Sequence, residues 1–128
     1  MNILTHKGIS AELCGSPKEL SPGKSVVAMT ATPAMAADDT GLVHGGFVFG
    51  MADYAAMLAV NDPYVVLGAS ETKFLKPVRV GETLTATAVV TEDKGKKRLV
   101  EVTVSRDGAD VVTGTFTCFV LDKHVLSQ

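Results

Sequence analysis

Residues 44–60 read HGGFVFGMADYAAMLAV, and Asn61-Asp62-Pro63 follows them. Proline cannot continue a helix and restricts the residue before it, so this run predicts a helix that stops at residue 60. The helix is about 25 Å long at ~1.5 Å per residue. Its residues are apolar nearly all the way round, the pattern of a helix buried on most sides. Asp53 is the single acidic residue in it.

Working outward, residues 25–32 (SVVAMTAT) form a strand that ends at Pro33. Residues 33–43 form a loop. Ser16-Pro17 and Ser21-Pro22-Gly23 read as turn punctuation before the strand. After the helix come four strand-like runs, 66–76, 83–92, 97–106 and 110–121. Alternation is clearest in the middle two, where Leu84, Ala86, Ala88 and Val90 share one face and Val100, Val102 and Val104 another. Short connections, among them Asp107-Gly108, suit antiparallel neighbours. Strands this long twist and curl. The expected fold is α+β, one domain over residues 1–128, with a long central helix wrapped by a curved antiparallel sheet of about five strands. A single helix leaves the far face and edges of that sheet in need of cover, and self-association supplies it.

Composition narrows the function classes. The chain has 128 residues, 46% hydrophobic and 20% charged, with a net charge of −2. That balance speaks against nucleic acid or an anionic membrane as the main partner, because both select a concentrated basic surface. No apolar run is long enough to span a bilayer, and the N-terminus lacks the layout of a signal peptide. A cytoplasmic location is expected. Cys14 and Cys118 are too few for a disulfide framework or a structural zinc site, so no metal or cofactor is expected.

Asp53 is the residue the pattern does not explain. An ionised carboxylate among Phe49, Met51, Ala52, Tyr54 and Met57 costs several kcal/mol unless it is paired, protonated or open to a pocket. It is a partly exposed acid on a helix seam, an acid hydrogen-bonded to a neighbouring chain, or a general base or nucleophile in an apolar cleft. His44-Gly45-Gly46 opens the helix with free N–H groups, which favour a developing negative charge. Gly45 and Gly46 let a substrate approach the backbone closely. Gly45 and Asp53 lie about 12 Å apart on one helix. A site that uses both most simply combines two chains.

With these features the chain resembles the hot-dog-fold acyl-CoA thioesterases, particularly the phenylacetate-pathway and 4-hydroxybenzoyl-CoA types. The resemblance rests on Gly41-x-x-His44-Gly45-Gly46 with Asp53 seven residues later, and on Phe74-Leu75-Lys76-Pro77-Val78-x-x-Gly81-Glu82. It implies hydrolysis of an acyl-CoA at a subunit interface of a homodimer or dimer of dimers. Gly45 supplies the N–H that polarises the carbonyl. Asp53 of the other chain activates water or attacks directly, and His44 positions the helix start or is a hydrogen-bonded structural residue. One departure stands out. Many members carry Asn or Gln six residues before the motif histidine, where this chain has Asp38. A carboxylate donates no hydrogen bond unless protonated. Either Thr40 takes the role, or it falls to backbone alone, or activity is low. A second charge near Asp53 also tends to raise a carboxylate pKa.

Ser70 and Thr72, on the strand after the helix, orient water or are ordinary strand residues. Lys73, Lys76 and Arg79 on one side, and Lys94, Lys96, Lys97 and Arg98 on the other, meet CoA phosphates or remain solvated. The competing function is a non-catalytic acyl-CoA-binding module of the same fold, of the kind found in malonyl-CoA-sensing repressors. A serine hydrolase is excluded by the missing G-x-S-x-G. The three histidines, His6, His44 and His124, fit no dehydratase motif.

Overall fold

The computed structural model describes residues 1–127. Six strands form one antiparallel sheet: β1 (Ser16–Ser21), β2 (Lys24–Thr30), β3 (Val65–Phe74), β4 (Thr83–Lys94), β5 (Lys97–Arg106) and β6 (Ala109–Val120). Their spatial order is β1-β2-β4-β5-β6-β3. The main helix, α2 (Gly45–Val60), lies across β2, β4 and β5, and a four-residue helix, α1 (Ala11–Cys14), packs on it.

The expected helix and the five expected strands are present. His44 is the helix cap rather than its first residue, with φ −64° and ψ 130°. The unexpected strand is β1, read from sequence as turn punctuation. Pro17 hid it, since proline removes a ladder donor. At the sheet edge that loss is tolerated, and the register shifts between Pro17 and Glu19. β3 stops at Phe74, two residues short of expectation. There the N–H groups of Leu75 and Lys76 both donate to the Val111 carbonyl, which draws the chain off the ladder ahead of Pro77.

The core explains the alternation. Leu84, Ala86, Ala88, Val100, Val102, Val104 and Phe116 are buried and meet Met51, Ala52, Ala55 and Leu58 of α2. The alanines at 86 and 88 let the helix approach the sheet. Thr85, Thr87, Thr113, Thr115 and Thr117 lie half-buried on the opposite face. Ser25, fully buried on β2, donates through its hydroxyl to the Ala55 carbonyl at 2.6 Å. It ties the helix to the sheet one turn from Asp53.

Part of the missing cover comes from the chain's own N-terminal arm. Asn61, left-handed at φ 51°, caps α2 and holds this arm: its Oδ1 accepts from the Leu4 N–H at 2.9 Å and its Nδ2 donates to the Asn2 carbonyl at 2.8 Å. Ile3, Ile9 and Cys14 then pack on the core. β3 keeps an open edge, with no strand beyond it.

Ser25→Ala removes the side-chain bond from the sheet to the helix backbone near Asp53. We expect a loss of about 1–2 kcal/mol in urea unfolding, with native far-UV circular dichroism retained.

Candidate active site

α2 carries the site's acid in its middle and its free donors at its start. The first turn leaves the Gly45 and Gly46 N–H groups without an acceptor among the described residues, while the Phe47 N–H donates to the His44 carbonyl. The start of the helix is held in place from outside: the His44 N–H donates to the Met35 carbonyl at 2.9 Å, and the Val43 N–H to that of Val78. Met35, fully buried in a short 3-10 turn (Pro33–Met35), anchors the loop.

Asp53 is mostly buried. Its Oδ1 is shielded from solvent and has no hydrogen-bond partner. Burial alone pushes the carboxyl up to about 6. Two cysteines distant in sequence come close enough to feel its charge. Cys118 on β6 is pushed up to about 12, chiefly by burial and then by Asp53. Cys14 on α1 is raised by the same two causes. Neither was expected at the site, and no local pattern marks them, since 39 and 65 residues separate them from Asp53.

A groove of about 320 Å³ opens beside Gly45. Val43, Val48, Val78 and Val112 form its floor, and Phe74, Leu75, Lys76 and Pro77 its wall. The sequence reading included Lys76 among the site residues and the phenylalanine only as part of a motif. Arg79, next to the groove residue Val78, pairs its backbone with Leu42 of the loop that holds Asp38 and Thr40.

The other expected site residues each have their own contacts. Asp38 does not act on Asp53 within the chain. It is fully exposed and accepts from the Thr40 hydroxyl at 2.6 Å and the Thr40 N–H at 2.9 Å, which hold its carboxyl below the ordinary range. Thr40 is thus bonded to Asp38 through both its hydroxyl and its N–H. His44 makes no side-chain cap bond. It is exposed, lies edge-on to Phe47 at 6.2 Å and stands over Gly46, where a Cβ would meet its ring at 3.1 Å. The 94–98 hairpin is largely neutralised: Arg98 pairs with Asp93 at 3.0 Å, Lys96 with Asp122 at 3.1 Å and Lys94 with Glu92 at 3.7 Å. Lys73, Lys76 and Arg79 form no ion pair among the described residues. Ser70 and Thr72 point to one face of β3 and bond each other at 2.5 Å, part-buried. No three His, Cys, Asp or Glu side chains cluster as a metal site among the described residues, and no helix there is long and apolar enough to cross a membrane.

Residues 40–113, which include Gly45, Asp53 and the groove wall, match the family model of the thioesterase superfamily. The chain belongs to the thioesterase superfamily. Its sheet and central helix are the hot-dog fold of that superfamily. The crystal structure of PH1136 from Pyrococcus horikoshii superposes with a TM-score of 0.97 at 52% identity, covering 98% of this chain and 97% of that one. Methylthioribose-1-phosphate isomerase of Aquifex aeolicus is 50% identical over 123 residues, 95% of this chain but 27% of that protein. Transcription factor FapR of Caldanaerobacter subterraneus is 27% identical over 121 residues, 94% of this chain and 60% of that protein. This superfamily member thus spans about a quarter of one curated relative and three fifths of the other.

The raised Asp53 pKa has a thermodynamic sign. A carboxyl that holds its proton more tightly folded than unfolded favours folding below pH 3.8, and that contribution is lost as pH rises to about 6. Asp53→Asn is therefore expected to raise stability at pH 8 by roughly 1–3 kcal/mol and to leave it unchanged at pH 4. Thermal melts of both proteins across that range check it.

Proposed function

We propose that this chain is an acyl-CoA thioesterase acting as a homodimer, with each site built from Asp53 of one subunit and Gly45 of the other. The observation that carries the proposal is the buried, unpartnered Asp53 Oδ1 in the central helix of a thioesterase-superfamily member. A base that is ionised only above about pH 6, in a dry setting, suits proton transfer from water near neutrality. Two copies are required because Gly45 and Asp53 stand about 12 Å apart along one helix. The open β3 edge is the pairing surface, and pairing through it buries an otherwise unsatisfied row of backbone groups.

The chemistry follows from these positions. The thioester carbonyl accepts from the Gly45 N–H, and Gly46 keeps the approach clear. Asp53 removes a proton from a water molecule as the water oxygen attacks the carbonyl carbon. Ser70 and Thr72 offer hydroxyls to hold that water. The tetrahedral oxyanion collapses, the carbon–sulfur bond breaks, and CoA leaves as the thiolate, which takes the proton from Asp53. His44 flanks the helix start. The CoA arm lies in the apolar groove, and its phosphates meet Lys76 and Arg79, which form no side-chain ion pair among the described residues. Asp38 and Thr40 sit on the loop that pairs with Arg79 through Leu42.

A second reading has its own support. Asp38 replaces a donating amide with an acceptor already occupied by Thr40, and the likeness to a transcription factor extends over 94% of the chain. Both fit a module that binds acyl-CoA without hydrolysing it.

Thiol release from a panel of acyl-CoAs separates the two. We expect turnover that rises about tenfold per pH unit below pH 6 and levels above it. Asp53→Ala should abolish it in a folded protein. Lys76→Ala should raise KM for the CoA ester and leave that for the N-acetylcysteamine thioester unchanged. Thermal stabilisation by acyl-CoA without any turnover would establish the binding module instead.

A further inference from the structure

A side chain at position 45 would crowd the ring of Phe74. A Cβ built there would stand 3.3 Å from Cε1 and 3.6 Å from Cδ1 of Phe74. Phe74 is the last residue of β3, and its backbone is fixed. It pairs with Val112 on β6, and the next two N–H groups both donate to the Val111 carbonyl. The residue is nevertheless 56% exposed. Core packing does not account for a large aromatic held half in water against a glycine. The ring also walls the groove at the end where the free Gly45 N–H sits.

We propose that Phe74 is a positioning residue: with Gly45 it forms a slot that admits one unbranched chain, the cysteamine end of a CoA thioester, and holds its carbonyl against the Gly45 N–H. The ring offers an apolar face to the methylenes and a favourable contact to the sulfur. The fixed β3 terminus keeps the ring in register with α2. The groove's occupant rests on the acyl-CoA reading above, whereas the steric pairing of Phe74 with Gly45 does not.

The test measures binding by isothermal titration calorimetry in an Asp53→Asn background, so that the ester survives. The probes are butyryl-CoA and adenosine 3′,5′-bisphosphate, which lacks the arm. Phe74→Ala is expected to weaken butyryl-CoA binding about tenfold and to leave the bisphosphate unchanged. Phe74→Leu should recover most of the loss. Gly45→Ala narrows the slot and weakens butyryl-CoA, and adding Phe74→Ala to it should reopen the slot and improve binding over Gly45→Ala alone. Equal butyryl-CoA affinity in Phe74→Ala, an equal loss for both probes, or no improvement in the double variant would overturn the proposal. So would a change of oligomeric state in Phe74→Ala, which would make the ring an interface residue. A wild-type protein that binds butyryl-CoA through Phe74 but never hydrolyses it would leave the slot standing and remove only the catalytic reading.

Discussion

Everything distinctive here depends on a single carboxylate placed where carboxylates are costly. α2 must be apolar almost throughout, because it is covered by the sheet on one side and by the N-terminal arm on another. A charge in that helix survives only if the surroundings either neutralise it or give it work. No hydrogen bond reaches Asp53 Oδ1, and the thiols of Cys14 and Cys118 are pushed up chiefly by their own burial and then by its charge. The protein therefore keeps an acid that holds its proton more tightly than an ordinary carboxyl, up to about pH 6, and the scaffold's stability bears the cost once it ionises.

The rest of the site is arranged around what that acid cannot do alone. It has no donor beside it, because every N–H of a helix interior is used. Free donors exist at the helix start, where Gly45 and Gly46 stand clear, held by bonds from His44 to Met35 and from Val43 to Val78. Acid and donor are thus separated by the helix's own hydrogen-bonding rule. The groove and its cations gather at the donor end, and the cysteines at the acid end.

The fold was legible because its signals are local. The apolar run at 44–60, its stop at Pro63 and the alternation over 84–90 and 100–104 fix one helix and most of a sheet. β1 was illegible for the opposite reason: Pro17 forbids a strand everywhere except at an edge, and edge position is a property of the whole sheet. The site divides in the same way. Asp53, Gly45 and Lys76 stand out by residue type against their neighbours. The commitment of Thr40 to Asp38, the pairing of the 94–98 cations and the placing of Phe74 over Gly45 depend on side-chain geometry, and residue order does not encode them visibly. Cys14 and Cys118 reach Asp53 only through tertiary packing.

The two edges of the sheet are unlike. Both shift register once, but β1 is six residues long and carries Pro17 at its bulge, whereas β3 runs ten residues without proline, its outer backbone groups open. A sheet with two receptive edges would let copies add head to tail, each offering the next what it had accepted from the last, and such growth has no natural end. With one edge spoiled, strand addition between copies must use β3 twice. That arrangement is two-fold and consumes the edge it uses. Pro17, which looks like a flaw in a strand, would block growth by strand addition at that edge.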